Sequence, residues 1–263
     1  MNRIPQWLSA IAAVVLVLVA APSTRAQTEQ AELTVTITGR GDEAFKELGA
    51  RFEAKTGHRV TVRMIGTWAS RDVIVNGEPL DVGIVEFPYD AAALASGNVV
   101  PDTATPVANG TMGMVVRKGA PKPDISTPAA VKRALLAAES IAYPDPEGGS
   151  AASGVNATEM LRRLGIADEV EAKTTHTRGG GNAMRLVASG EVEIGITYLI
   201  GIGGNAEVDL VGTFPPEISP PSPLIGFVST KTAHPQAARE LLDYLASPEA
   251  AGVYLGYYLQ PAY

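Results

Sequence analysis

The sequence predicts an α/β protein built from two lobes. Segments in which apolar residues alternate along the chain, as in half-buried strands, take turns with segments of helical period. Two stretches rich in proline, glycine and small polar residues interrupt the pattern, at 97–110 and at 215–223. A chain that crosses twice between α/β units, and whose last helices return to the first unit, has the organisation that a two-lobed ligand clamp needs.

Composition limits the function classes. A chain of 263 residues that is 46% hydrophobic and 19% charged is typical of a globular protein and excludes disordered and fibrous classes. The absence of cysteine excludes disulfides, thiolate metal sites and a cysteine nucleophile. With 21 basic against 28 acidic residues, a net charge of -7 and no basic run, the composition disfavours a nucleic-acid partner.

The first 26 residues have the layout of a secretory signal. Arg3 supplies a positive charge, and the apolar run from Leu8 to Ala21 is shorter than the roughly 20 residues that span a bilayer. Small residues at Thr24 and Ala26 permit cleavage before Gln27, with a retained membrane anchor as the alternative. Cleavage leaves 237 of the 263 residues, with 19 basic and 28 acidic side chains and a net charge of -9. We expect this mature chain in the periplasm, without stable membrane insertion.

Apolar patterning predicts the elements of the first lobe in order. Strands are expected at 33–37, 60–64 and 82–85. A helix capped by Asp42 and ended by Gly57 lies between the first two strands, and a short helix from Gly66-Thr67 to Gly77 follows the second.

The pattern restarts at residue 112 and predicts the second lobe. We expect strands at 112–116, 141–143 and 194–197, and helices that open at Thr127-Pro128 and cover about 152–164 and 182–189. After the second proline-rich stretch come a strand at 224–229 and helices that begin at His234-Pro235 and Ser247-Pro248. The predicted boundaries are 27–108 plus 223–263 for lobe 1 and 109–222 for lobe 2.

Five stretches carry a family resemblance. They are ITGRGDEAFKELGARFEAKTGHRVTV, GTWASRDVIVNGEPLDVGIV, MGMVVRKGAPKPDISTPAAVKRALLAAESIAYPDPEGGSAASG, LVASGEVEIGITYLIGI and PQAARELLDYLASPEAAGVYLGYYLQPA. The order and the sequences of these stretches resemble the molybdate-binding-protein-like branch of bacterial periplasmic solute-binding proteins, over nearly the whole mature chain. The resemblance implies the type II two-lobed periplasmic-binding-protein fold with an interlobe ligand cleft, and delivery of the ligand to an ABC-type permease. We expect a monomer that bends near Val107–Thr111 and Phe214–Ser222.

Four loops that are rich in glycine and small hydroxyl residues stand where strands lead into helices. They are Thr38–Gly41, Gly66–Ser70, Gly148–Gly154 and Arg178–Gly181. In open α/β sheets the ligand lies beyond the carboxyl ends of the strands, and helix N-termini there offer free N–H groups to anions. The alternative is that glycine and serine simply form turns. Together the four loops predict a cleft for a small anion.

Arg40 and Trp68 bear on the kind of anion. In molybdate-binding relatives the resemblance implies neutral donors, whereas the Arg40 guanidinium is a planar fork suited to carboxylates, and Trp68 adds an apolar wall. Both favour a di- or tricarboxylate over a molybdate-like oxyanion, although Arg40 as a structural charge and Trp68 as a packing residue stay open. Tyr198 matches the tyrosine of the family. The full predicted binding set is Thr38, Gly39, Arg40, Thr67, Trp68, Ala69, Ser150, Ala151, Ser153, Arg178 and Tyr198.

An enzyme is the alternative, because a periplasmic aconitate isomerase is also similar to this branch. Moving a proton across an allylic system requires carboxylate anchors with a base and an acid. Glu86, Tyr143 and His176 are the candidates; a rim carboxylate, a buried tyrosine and an exposed histidine are their structural alternatives. No P-loop, His-Glu-x-x-His or nucleophile elbow occurs, and the three histidines are far apart in sequence, so we expect no metal site and no cofactor.

Overall fold

A computed structural model describes residues 30–38, 41–86, 91–147, 152–200, 202 and 206–262, with the backbone alone at Thr38 and Thr67. Its strands are β1 (Glu32–Thr38), β2 (Arg59–Ile65), β3 (Val82–Glu86), β4 (Thr105–Gly110), β5 (Met112–Arg117), β6 (Ile141–Pro144), β7 (Thr174–Thr177), β8 (Ile194–Tyr198), β9 (Val208–Thr213), β10 (Ser222–Val228) and β11 (Leu259–Pro261). Its α-helices are α1 (Asp42–Thr56), α2 (Thr67–Val75), α3 (Ala91–Leu94), α4 (Pro128–Ala137), α5 (Ala152–Leu164), α6 (Ala167–Glu171), α7 (Gly180–Ser189), α8 (Pro235–Leu245) and α9 (Ala251–Gly256), with a 3₁₀ turn at Pro248–Ala250.

The strands form two sheets, which confirms the predicted two-lobed α/β class. The six-stranded sheet has the order β11-β4-β10-β3-β1-β2, and the five-stranded sheet has the order β7-β6-β8-β5-β9. β1 pairs in parallel with β2 and β3, whereas β10 runs antiparallel to β3 and β4. In the second sheet β6 is parallel to β7 and β8, and β5 is antiparallel to β8 and β9. Parallel strands of this kind need helices across the sheet faces.

The chain crosses between the two sheets at two places. β4 lies in the six-stranded sheet and β5 in the five-stranded sheet, with Thr111 alone between them. The return crossing uses residues 214–221, between β9 and β10. Because both crossings are short and adjacent, they can act together as a hinge.

Local sequence accounts for the best-predicted elements. In α1 the apolar stripe Phe45, Leu48 and Phe52 is buried, and Gly57 ends the helix in the left-handed region with φ 82°. Helix α4 begins at Thr127-Pro128 as predicted, and the Thr127 hydroxyl caps it by accepting a hydrogen bond from the Ala130 N–H at 3.1 Å. At α1 the predicted cap is wrong: Gly41 precedes the helix, and Asp42 is its first residue.

The stretch predicted to be irregular at 97–110 contains a strand instead. β4 carries Pro106, Asn109 and Gly110, which are poor strand formers, so its sequence gives little sign of a strand. It pairs on one side with β10 and on the other with β11, and a register shift in the β10 pairing accommodates the proline. Tertiary pairing therefore overrides local propensity here.

Apolar clusters lie on the faces of both sheets. In the first lobe one cluster includes Ile37, Leu48 and Leu241, so helix α8 packs against the six-stranded sheet. A smaller cluster, which includes Ile74 and Phe227, packs α2 against the sheet. The second lobe has two clusters of its own. Within the described part of the chain, no helix combines the length and apolar character needed to cross a membrane.

Candidate ligand cavity between the two sheets

A cavity of about 240 Å³ lies between the two lobes at the carboxyl ends of the strands. Its described lining residues are Met64, Ile65, Gly66, Glu86, Gly110, Ala152, Ser153, Arg178, Gly179, Gly180, Met184, Thr197, Tyr198, Ile200, Leu224 and Leu259. Strands β2, β3 and β4 of the six-stranded sheet end here, and so does β8 of the five-stranded sheet. The cavity therefore occupies the crevice that the strand topology predicts for a ligand.

Two helices of the second lobe direct their N-termini at the cavity. Ala152 and Ser153 open α5, and Gly179 and Gly180 open α7. The first N–H groups of a helix have no acceptor within the helix and carry part of its positive dipole. Ser153 is 2% exposed, and no described residue is hydrogen-bonded to its hydroxyl. These groups form a set of neutral donors for an anion.

The glycine at the start of α7 is required by close packing. A Cβ on Gly180 would lie 1.9 Å from the Thr197 Oγ1 at the end of β8. Glycine therefore lets the first turn of α7 approach the strand end that lines the cavity. The neighbouring Gly179 has φ 83°, a conformation that side-chain-bearing residues rarely adopt.

Arg178 supplies positive charge on the same side. It follows β7 directly, is exposed and lines the cavity. Among the described residues no carboxylate forms a salt bridge with Arg178, so its fork is available to a ligand. The Arg178 carbonyl accepts a hydrogen bond from the Asn182 side chain at 2.9 Å, which ties the loop to α7.

A polar network joins the two lobes in the cavity wall. The Tyr198 hydroxyl, at the end of β8, donates to Glu86 Oε1, at the end of β3. Ser222 Oγ lies 2.7 Å from the Tyr198 oxygen, and Asn156 Nδ2 donates to the same oxygen. Tyr198 has one proton and a carboxylate is its strongest acceptor, so Ser222 is the donor in its contact with Tyr198. Glu86 and Ser222 are only 6% and 7% exposed.

Tyr143 and His176 both contact Glu171, and neither is among the described residues that line the cavity with Glu86. The Tyr143 hydroxyl donates to Glu171 at 3.0 Å, and His176 Nε2 lies 2.8 Å from the other Glu171 oxygen. Burial, followed by the Glu171 hydrogen bond, raises the pKa of Tyr143 to about 12, and the His176 hydrogen bond lowers the pKa of Glu171. Both side chains extend from a sheet face toward α6, so their catalytic role stays a prediction that the contacts with Glu171 do not support.

The structure brings together part of the predicted binding set. Ser153, Arg178 and Tyr198 line the cavity with Glu86. Trp68 and Ala69 do not line it, and the Trp68 ring lies 5.7 Å from the Arg71 guanidinium carbon on the same helix. Gly39, Arg40, Ser150 and Ala151 lie outside the described residues, and Thr38 and Thr67 are described only in their backbone. These six positions stay predictions.

The apolar wall of the cavity was missed at the sequence level. It consists of Met64, Ile65, Met184, Ile200, Leu224 and Leu259. The patterning assigned such residues to strands and cores without showing which of them face a cleft. The Met64-Ile65 pair, which closes β2 just before a glycine loop, is the signal that could have identified part of the wall. Ile200 also contacts the first lobe, since a Cβ on Gly41 would lie 2.1 Å from its Cδ1.

The described side chains of the cavity include groups that can bind an organic anion. No group of three or more histidine, aspartate or glutamate side chains suited to a metal ion occurs within the described ranges. The cavity instead offers a guanidinium, hydroxyls and helix N-termini beside an apolar wall. Such a set can hold carboxylates and enclose a short carbon skeleton at the same time.

Known proteins resemble this chain in sequence and in fold. The model of a family described as bacterial extracellular solute-binding protein matches residues 33–257. An aconitate isomerase of Pseudomonas sp is 31% identical over 227 residues, which cover 83% of this chain and 84% of that protein. A molybdate-binding protein of Rhodobacter capsulatus is 27% identical over 223 residues, with the same coverage of 83% and 84%. The structure of the periplasmic molybdate-binding protein of Azotobacter vinelandii shares the fold, with a TM-score of 0.70 and 21% identity over 86% of this chain and 98% of that one.

Proposed function

This chain belongs to the bacterial extracellular solute-binding protein family, and we propose that it binds a small organic polycarboxylate between its lobes for delivery to an ABC-type permease. The proposal places the mature protein in the periplasm after cleavage before Gln27. The relatives named for molybdate or for aconitate isomerase make small anions the natural ligand class.

One observation carries the choice of ligand: the cavity combines Arg178 and two helix N-termini with a largely apolar wall. A guanidinium binds a carboxylate through two parallel hydrogen bonds. The apolar side chains gain most from contact with carbon, which a molybdate-like oxyanion does not have. A volume of about 240 Å³ also lies just below the roughly 300–1,000 Å³ of pockets for drug-sized ligands, which suits a small metabolite.

The proposal includes closure of the lobes on the ligand. Glu86 and Met64 come from the six-stranded sheet, whereas Ser153 and Arg178 come from the second lobe. Because neither lobe surrounds the cavity alone, a ligand that contacts both stabilises the closed form. The crossings at Thr111 and at 214–221 are the proposed hinge.

Calorimetric titration with citrate, tricarballylate, both aconitates, molybdate and sulfate tests the proposal. We expect at least one carboxylate to bind more tightly than molybdate, and small-angle scattering to show a smaller radius of gyration with that ligand. Arg178→Ala should weaken carboxylate binding by about 1.5–3 kcal/mol, the value of hydrogen bonds to a charged group. Arg133→Ala, at an exposed arginine of α4 outside the cavity, is the matched control. Molybdate binding more tightly than every carboxylate would refute the choice of ligand.

The second candidate function is an isomerase for a small unsaturated tricarboxylate. Two observations favour it: the 31% identical aconitate isomerase, and the presence of a carboxylate, Glu86, in the cavity wall. Glu86 would remove a proton from the substrate CH2 group and return it to the far carbon of the allylic system, so that the double bond moves with no net change in atoms or charge.

Proton NMR in deuterated water distinguishes the enzyme from the binding protein. An isomerase converts cis- into trans-aconitate, and deuterium enters the product to the extent that the proton on Glu86 exchanges with solvent before it is returned. A binding protein gives neither conversion nor exchange. Glu86→Gln should abolish conversion, and Tyr143→Phe, outside the cavity, should leave it unchanged. Binding of aconitate without conversion or exchange would remove this candidate.

A further inference from the structure

The wall of the proposed anion cavity contains a carboxylic acid side chain, Glu86. Among the described lining residues the formally charged side chains are Arg178 and Glu86. An ionised carboxylate accepts hydrogen bonds and donates none, and the same holds for the carboxylates of a ligand. Two such groups in contact repel each other, and the repulsion is stronger in a partly desolvated cleft than in water.

Glu86 has little freedom to leave the cavity wall. It closes β3, its side chain is 6% exposed, and β10 pairs beside it through Leu224. Tyr198 donates a hydrogen bond to its Oε1. A ligand that places an acceptor against Glu86 would have to break this arrangement, so the ligand itself must suit the carboxylate.

We propose that Glu86 determines ligand selectivity by accepting a hydrogen bond from the ligand, so that the cavity prefers small hydroxy-polycarboxylates. The ligand carboxylates lie toward Arg178, Ser153 and the start of α7. The ligand hydroxyl faces Glu86, where it donates to the carboxylate that Tyr198 holds in place. This inference rests on the proposed function and specifies its ligand class.

Two ligands that differ in one hydroxyl test the proposal. Citrate and tricarballylate share a carbon skeleton and three carboxylates, but only citrate has a hydroxyl. Calorimetric titration of the parent protein should show citrate binding on the order of tenfold more tightly than tricarballylate, the factor expected for one hydrogen bond to a charged group. Equal or weaker binding of citrate would overturn the proposal without any variant.

Glu86→Gln separates the role of the charge from that of the shape. Glutamine keeps an oxygen that can accept from Tyr198, but it also presents an NH2 group that can donate to a ligand carboxylate. We expect the citrate preference to fall to within about threefold, mainly through tighter binding of tricarballylate. Glu171→Gln is the matched control, because Glu171 also accepts from a tyrosine but lies outside the cavity; the citrate preference should be unchanged.

The outcomes distinguish this inference from the proposed function. If no carboxylate of the panel binds the parent protein, the proposed function fails and the inference fails with it. If carboxylates bind but the hydroxyl makes no difference, or if Glu86→Gln keeps the full citrate preference, the inference alone is overturned. Thermal unfolding of each variant checks that it is folded. The ratio of citrate to tricarballylate affinity in the parent protein remains a test even if Glu86→Gln does not fold.

Discussion

Tyr198→Phe removes the hydroxyl that links the two lobes while keeping the aromatic ring, so no void is created. The lost contact is a hydrogen bond to Glu86, a carboxylate that is 6% exposed, and the Tyr198 oxygen also contacts Ser222 at 2.7 Å. Asn156 Nδ2 and Ser222 Oγ lie 3.3 Å apart and can hydrogen-bond to each other without Tyr198. The main effect of the substitution is therefore that Glu86 loses a hydrogen-bond donor. A hydrogen bond to a charged group contributes about 1.5–3 kcal/mol, and we expect a loss of about 2 kcal/mol in unfolding free energy.

Chemical and thermal denaturation measure this loss. For a chain of this size, about 2 kcal/mol corresponds to a fall in Tm of roughly 4–8 °C. Tyr257→Phe is the control: it removes a similar hydroxyl, which donates to Glu47 at 3.0 Å, but the Glu47 side chain is 38% exposed. Its effect should stay within about 0.5 kcal/mol, because water replaces the lost donor. Equal losses of unfolding free energy in the two variants would refute the argument that burial between the lobes makes the Tyr198–Glu86 hydrogen bond stabilising.

Two further predictions concern the packing of the second lobe. Gly180→Ala places a Cβ 1.9 Å from Thr197 Oγ1, so we expect the unfolding free energy to fall by about 1–3 kcal/mol and ligand binding to weaken in titrations. Gly252→Ala is the control, because a Cβ there meets nothing within 4 Å, and it should be neutral or stabilising. Tyr143 keeps its proton up to about pH 12 in the folded state, against 10.0 as its ordinary pKa, so the unfolding free energy should fall as pH rises from 10 to 12. Urea titrations between about pH 10 and 12 should show that the unfolding free energy falls less steeply for Tyr143→Phe than for the parent protein. An equal dependence on pH in the two proteins would contradict the raised pKa of Tyr143.

The elements that could be predicted from the sequence are those whose own periodicity decides their structure. The apolar stripe of α1 and the threonine cap of α4 are local patterns with local consequences. β4 and β7 could not be predicted in this way. β4 contains Pro106 and is held by two neighbouring strands, and β7 is a polar four-residue strand at a sheet edge. Their pairing depends on contacts that are distant in sequence.

The site was predictable to the extent that it follows from topology. Ser153, Arg178, Tyr198 and Glu86 all lie at strand or helix ends, where a general rule for α/β sheets places ligands. The direction of a side chain within a strand is not given by that rule. Tyr143 is close to the end of β6 in sequence, yet its side chain is buried between the sheet and α6.

The Tyr198 contacts explain why ligand identity cannot be transferred from the family resemblance alone. At this position the resemblance implies a hydroxyl that donates to the ligand, but a phenol has one proton, and here Glu86 accepts it. That donor is therefore used within the protein, and in the proposed complex Glu86 would present an acceptor to the ligand. We propose that the carboxylate at the end of β3 gives this wall its preference for a ligand group that donates a hydrogen bond. For that reason the hydroxyl, more than the charge, is the ligand feature that should distinguish this cavity from an oxyanion site.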